Sequence, residues 1–155
     1  MNTDLPAQRW LGLTLIELLL VLMIIGLVTA LAVPALRDPA SSRLQNEAAR
    51  LVNLLEGGRA ASRAYDEALG WQVREGGFRF LGQAGGPWPT NWLHPETEAQ
   101  VLGAEGLELG PEPMIAAQAV LLRHRQRPDL LLWVRTDGVR PFEVSATPMQ
   151  TDPGP

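Results

Sequence analysis

The sequence contains no cysteine and no lysine. Without cysteine, a disulfide framework, a thiolate zinc site and a cysteine nucleophile are all excluded. The glycine-rich stretch "GQAGG" is not a phosphate-binding loop, because no Gly-Lys-Ser/Thr follows it. Charge is also modest, since thirteen arginines and seventeen acidic residues give a net charge of −4. That balance argues against a nucleic-acid partner held by electrostatics.

Patterns typical of catalytic and metal sites are missing as well. The two histidines, His94 and His124, lie in segments without HExxH or another ligand spacing, so we expect both to be solvated and not metal-bound. There is no G-x-S-x-G nucleophile motif. We therefore predict a protein that is not an enzyme, with no catalytic residues, no metal and no cofactor.

What the sequence does contain is a long apolar segment near its amino terminus. Between Leu13 and Leu36 the only polar side chains are Thr14, Glu17 and Thr29. A helix of this length would measure roughly 36 Å, enough to cross a hydrocarbon core of about 30 Å. The pattern predicts a single membrane-spanning helix.

Glu17 admits three interpretations. The segment could be a secretory signal cleaved at "Ala30-Leu31-Ala32", before Val33. It could be a plain signal anchor that tolerates a carboxylate near one end. In the third interpretation the carboxylate pairs with a cation at similar depth. Cleavage after Gly12 would create such a cation as the free amine of Leu13, which lies four residues before Glu17 on the same helix or on a neighbouring one.

The stretch "GLTLIE" at 12–17, followed by an apolar helix, resembles the processing signal of type IV pilins and type II secretion pseudopilins. In that family a prepilin peptidase cleaves after the glycine and methylates the new amino terminus, and a glutamate pairs with the terminus of an adjacent subunit. The resemblance makes Gly12 and Leu13 the cleavage site, Leu13 the methylated residue and Glu17 the assembly carboxylate. Pro34 matches a helix-kinking proline found in many members, and proline does remove a helical hydrogen bond.

The rest of the chain predicts an α+β fold in which the long amino-terminal helix precedes an antiparallel β-sheet domain. Asp38-Pro39 suits a helix start, and we expect the helix to continue to about residue 66. One face of it carries Leu44, Ala48, Leu51 and Leu55, and Arg43, Glu47 and Arg50 fall on the more polar side.

Two hairpins are predicted, one around "EGG" at 75–77 and one in which "TDG" at 136–138 joins strands 130–135 and 139–144. Shorter strands are expected near Val101, Leu107, Leu109 and Val120–Leu122.

Two segments could serve a partner or simply complete the fold. The loop containing Trp88 and Trp92 could form a partner surface or fold back over the sheet. The Arg123–Arg127 cluster could bind phosphate or an acidic partner, or it could be a solvated turn.

The helix and hairpins resemble the H-type minor pseudopilins (GspH/FimT-like). The resemblance implies a minor pseudopilin of the type II secretion system, in the bacterial inner membrane with its carboxy-terminal domain in the periplasm. Its partners would be other pseudopilins, prepilin peptidase and the membrane. The alternatives are a minor type IV pilin that primes pilus assembly, or a periplasmic binding domain with an ordinary signal peptide. The predicted segments are a leader at 1–12, a transmembrane half-helix at 13–36, an amphipathic half-helix at 37–66, a β-rich domain at 67–145 and a flexible tail at 146–155.

Overall fold

The computed structural model of the protein describes residues 14–32 and 38–148. The chain divides into two compact units, Met1–Asp38 and Pro39–Pro155, and each is described by itself. The first unit contains helix α1 (Leu15–Ala32). The second contains helix α2 and, among residues 39–148, seven strands. These elements are α2 (Pro39–Tyr65), β1 (Gly70–Arg74), β2 (Gly77–Leu81), β3 (Thr97–Val101), β4 (Leu107–Glu108), β5 (Gln118–His124), β6 (Arg127–Thr136) and β7 (Glu143–Ser145).

Helix α2 begins and ends close to where its sequence predicts. It starts at Pro39, whose missing N–H costs nothing in a first helical turn. It ends at Tyr65 because Asp66 adopts a left-handed conformation, with φ of 52°. The N–H of Glu67 then donates to the carbonyl of Ser62 (3.1 Å), which satisfies one of the last helical carbonyls.

The strands form two antiparallel sheets. One has the order β2-β1-β4 and the other β3-β5-β6-β7. The predicted early hairpin is confirmed as β1 and β2, in which Val73 pairs with Phe78 across the turn. An α+β fold with antiparallel sheets, as predicted, is therefore present.

Helix α2 and both sheets share one hydrophobic core. The predicted leucine stripe of α2 is buried in it. The buried apolar residues are Leu44, Ala48, Leu51, Leu55, Leu69, Trp71, Phe78, Ala84, Trp92, Leu107, Leu109, Val120, Leu122, Val134 and Phe142.

Gly57 and Gly58, which by propensity should weaken α2, lie inside an unbroken helix. A Cβ on Gly58 would lie 2.8 Å from Leu109 and 3.0 Å from Phe80, whereas a Cβ on Gly57 would meet only Trp88, at 3.6 Å. Gly58 therefore lets the sheet approach the helix backbone, and the close packing offsets its low helical propensity.

The predicted late hairpin is wrong in its second strand. β6 extends through 130–135 as expected, but β7 covers only Glu143–Ser145, and residues 137–142 form a wide loop. The side chain of Asp137 accepts hydrogen bonds from the N–H groups of Val139 (3.0 Å) and Arg140 (2.7 Å). Because these backbone groups are satisfied by a side chain, they do not enter a strand ladder.

Candidate functional site

Helix α1 carries apolar side chains around its whole circumference. Its large hydrophobic residues between Leu15 and Val28 are 44% to 78% exposed. A helix that is apolar on every side is normally covered by lipid or by other helices. The surface of α1 is therefore a candidate contact surface, and Glu17 is the one charged residue within it.

Glu17 lies in the first turn of α1, and its backbone N–H takes part in the helix cap. The carbonyl of Thr14 accepts from the N–H groups of Glu17 (3.0 Å) and Leu18 (3.2 Å), and the Thr14 hydroxyl lies 3.4 Å from the Glu17 N–H. The spacing T-x-x-E is that of a capping box. A carboxylate near the amino terminus of a helix also interacts favourably with the helix dipole.

The other predicted processing and assembly residues, Gly12, Leu13 and Pro34, lie outside the described residues. Cleavage, methylation and pairing of Glu17 with an amine therefore stay predictions. The predicted membrane span, 13–36, also extends beyond the described residues. Within residues 14–32 and 38–148, no helix is both long and apolar enough to cross a bilayer.

The second unit is organised by two Glu–Arg pairs on α2. The first pair is Glu47 and Arg50, joined at 3.1 Å, and the Glu47 side chain is fully buried. Glu47 accepts hydrogen bonds from the backbone N–H groups of Leu93 (2.7 Å) and His94 (3.1 Å). Arg50 donates to the carbonyl of Asn91 at 2.9 Å. The first pair thus holds the loop at 82–96 against α2. Because Glu47 is buried, the prediction that it lies on the polar side of α2 is wrong.

The second pair is Glu56 and Arg59, joined at 3.2 Å, with Arg59 almost fully buried. Glu56 accepts from the backbone N–H of Phe142 at 2.9 Å. Arg59 donates to the carbonyls of Arg140 (3.2 Å) and Gly138 (3.5 Å). The second pair therefore binds the loop at 137–142.

The two pairs repeat the same E-x-x-R spacing nine residues apart. At about 100° per residue, nine residues amount to roughly two and a half turns. The pairs therefore lie on opposite flanks of the leucine stripe, and each flank holds one loop. The repeated spacing is the sequence signal for this arrangement, but alone it resembles an ordinary solvated pair.

The loop at 82–96 folds back over the sheet, as one of its two interpretations states. Trp92 is 8% exposed, and its ring centroid lies 4.7 Å from that of Phe78. Trp88 stacks on Phe80 at 4.6 Å and donates from its indole N–H to the carbonyl of Ala84 at 2.9 Å. Both tryptophans thus contribute to packing.

The arginine cluster at 123–127 lies at the turn between β5 and β6. Arg123 and Arg125 both donate to Glu98, at 2.9 Å and 3.0 Å, and these hydrogen bonds lower the pKa of Glu98 below its ordinary value. Arg127 pairs with Asp129 at 3.0 Å. Because each arginine has a carboxylate partner, the cluster fits the solvated-turn interpretation.

The expectation that His124 is solvated is wrong. His124 is only 6% exposed. It lies at the end of β5, a strand whose residues Val120 and Leu122 are fully buried in the core. Its Nδ1 accepts from the backbone N–H of Gln126 at 3.2 Å, and its Nε2 lies 3.9 Å from Glu96. In the part of the chain that the structure describes, no three metal-ligating side chains come together.

The structure of this chain is similar to a solved structure, the type IV minor pilin FimU of Pseudomonas aeruginosa (strain PAO1). The TM-score is 0.52 and the identity 14%, over 69% of this chain and 90% of the FimU chain. The fold is pilin-like. At such low identity the likeness concerns the fold alone. No protein-family profile and no curated protein matches the sequence.

Proposed function

We propose that the chain is a minor pseudopilin of the H type, a non-enzymatic subunit that assembles into the pseudopilus tip of a type II secretion system and so helps drive protein export across the outer membrane. The supporting observation is the combination of a pilin-like fold with an apolar helix whose single charge is Glu17. An apolar helix of this kind is suited to packing beside other such helices within a membrane.

In this proposal prepilin peptidase cleaves between Gly12 and Leu13 and methylates Leu13. The mature protein spans the bacterial inner membrane once, with its carboxy-terminal unit in the periplasm. A carboxylate at the bilayer centre costs about 2.5–3.5 kcal/mol on insertion scales, and less near an interface. The new amine of Leu13, on the same or a neighbouring helix, would neutralise Glu17. Pro34 would loosen the helix by removing one hydrogen bond.

Amino-terminal sequencing of protein purified from its native membrane tests the processing step. We expect N-methyl-leucine at Leu13. An amino terminus at Val33 would instead identify an ordinary signal peptide and favour the periplasmic binding domain. A retained leader would reject the processed subunit.

Two variants separate the charge of Glu17 from the capping-box spacing at the helix start. Glu17→Gln removes the charge and keeps the T-x-x-E/Q spacing, whereas Glu17→Ala removes both the charge and that spacing but keeps the backbone N–H that bonds Thr14. If the carboxylate pairs with an amine, both variants insert into the membrane but are depleted from sheared filaments to the same extent. Wild-type incorporation of Glu17→Gln would contradict pairing through the carboxylate.

The second candidate function is a minor type IV pilin that primes pilus assembly. The fold similarity to FimU favours it, and the proposed processing is the same. Deletion of the gene distinguishes the two. Loss of exoprotein secretion with intact pili would support the pseudopilin, and loss of surface pili with intact secretion would support the minor pilin.

A further inference from the structure

Strand β6 contains five consecutive apolar residues, Leu130–Val134. An antiparallel strand with one solvated face normally alternates apolar and polar side chains, and a continuous apolar run is typical of a strand covered on both faces. On the inner face Val134 is fully buried, and Leu130 and Leu132 pack against the core. On the outer face Leu131 remains 42% exposed, and Trp133 is half-buried.

The neighbouring strand enlarges this outer apolar area. Leu121 of β5 pairs directly with Trp133. Its chain neighbours Val120 and Leu122 are both fully buried in the core, so alternation directs Leu121 to the outer face. Leu121, Leu131 and Trp133 together form what we call the outer patch.

Paired charges border the outer patch at two opposite corners. At one corner Glu98 of β3 binds Arg123 of β5 at 2.9 Å, and Arg125 also donates to Glu98, at 3.0 Å. At the other corner Arg135 of β6 binds Glu143 of β7 at 3.1 Å.

From β3 to β7 the order of these charges is Glu, Arg, then Arg, Glu. In each corner the glutamate lies on an edge strand of the sheet, β3 or β7, and the arginine lies on the adjacent central strand, β5 or β6. The pattern is therefore close to two-fold symmetric about a point between Leu121 and Trp133.

We propose that the outer patch is a docking surface for a second copy of this chain. A face-to-face contact with a two-fold axis lying diagonally across the patch brings Arg123 of each copy near Glu143 of the other, and likewise Arg135 near Glu98. Two-fold contacts require such self-complementarity. A central tryptophan surrounded by polar residues is the usual composition of an interface hot spot.

The charges also disfavour a strongly anionic partner. Each arginine at the two corners already has a carboxylate partner, whereas binding to nucleic acid or to an anionic membrane depends on unneutralised basic residues. The inference does not depend on the proposed function, because it concerns the second unit alone and requires neither cleavage at Gly12 nor a role for Glu17.

Site-directed crosslinking of the full-length protein in detergent tests the contact, and the absence of cysteine from the natural chain makes single-cysteine variants unambiguous. We expect Leu121→Cys, near the symmetry point, to form a covalent dimer with a short bismaleimide. Asn53→Cys is the control and should stay monomeric, because Asn53 is exposed on the side of α2 opposite its buried leucine stripe and therefore far from the outer patch. Adding Trp133→Ser to Leu121→Cys should reduce the dimer yield at least about tenfold, whereas Val139→Ser, an exposed apolar residue outside the patch, should not.

A charge exchange tests the two-fold arrangement itself. The double variant Arg135→Glu with Glu143→Arg keeps an ion pair within the sheet, so the fold is retained. In the dimer it would place arginine against Arg123 and glutamate against Glu98, and the Leu121→Cys crosslink should be lost. The proposal is overturned if Leu121→Cys stays monomeric, as it would if another part of the same chain or a different protein covered the patch. It is also overturned if the crosslink survives the charge exchange, or if Trp133→Ser and Val139→Ser behave alike.

Discussion

Replacing Glu47 with alanine is expected to lower the free energy of unfolding by about 3–5 kcal/mol, the usual cost of breaking a buried ion pair. The Glu47 side chain is fully buried and accepts from two backbone N–H groups and from Arg50. Hydrogen bonds to a charged group contribute about 1.5–3 kcal/mol each. Their sum overestimates the effect, because the loop at 82–96 can move and regain water.

Glu47→Gln is the milder variant. It keeps one acceptor oxygen but loses the charge, and we expect a loss of about 1.5–3 kcal/mol, the contribution of one charge-assisted hydrogen bond. Denaturant unfolding of the full chain in detergent, followed by tryptophan fluorescence, measures both variants. Glu75→Ala is the matched control, since Glu75 is an exposed carboxylate in a turn.

Amide hydrogen exchange gives this prediction a local readout. In Glu47→Gln the amides of Leu93 and His94 should lose protection, while the amide of Phe142, which donates to Glu56, should keep it. Glu56→Gln should produce the reverse pattern. A loss of no more than the roughly 0–1 kcal/mol of a surface pair for Glu47→Ala would contradict a buried, loop-binding Glu47. So would exposure of the same amides in Glu47→Gln and Glu56→Gln.

Three further predictions concern packing and pH. Gly57→Ala should stabilise the protein by about 0.5–1 kcal/mol through helix propensity, whereas Gly58→Ala should destabilise it by about 1–3 kcal/mol through overpacking; equal unfolding midpoints would contradict the close approach at Gly58. Trp92→Ala should cost about 3–5 kcal/mol, measured by the same denaturation, and a loss under 1 kcal/mol would mean that the loop is not part of the core. The pKa of Glu98, lowered by its two arginine partners, and that of Asp137, lowered by backbone N–H donors, lie below their ordinary values of 4.5 and 3.8. Their contribution to stability is therefore full above about pH 5 and is lost as pH falls through the lower folded-state values; unchanged stability between pH 5 and pH 3 would contradict these shifts.

The fold was predictable where the signal is local. The stripe from Leu44 to Leu55 has the helical period, Asp38-Pro39 marks a helix start, and "EGG" at 75–77 joins two alternating runs. Each of these patterns depends on residues a few positions apart, and the structure has α2, β1 and β2 where they predict. The strand predicted at 139–144 failed because Asp137 and the second Glu–Arg pair satisfy that backbone from outside any strand.

For the candidate site too, features that depend on nearby residues could be predicted, and features that depend on distant contacts could not. The spacing from Gly12 to Glu17 and the apolar character of the segment after it are properties of the sequence, and they carry the proposed processing and assembly. The cap at Thr14 also follows from spacing, since T-x-x-E is a capping-box pattern. The burial of His124 had no local signal, because it depends on the packing of β5 into the unit.

Periodicity and composition are local properties, and they are sufficient to predict an apolar helix with a single acid, an amphipathic helix and a strand-rich remainder. Which charges are buried, and which backbone groups they bind, depends on contacts between distant parts of the chain. Glu47 binds backbone 46 residues away and Glu56 binds backbone 86 residues away. A carboxylate on a helix has the same sequence pattern whether it faces water or a distant loop. It can be buried only where the folded chain brings N–H donors to it.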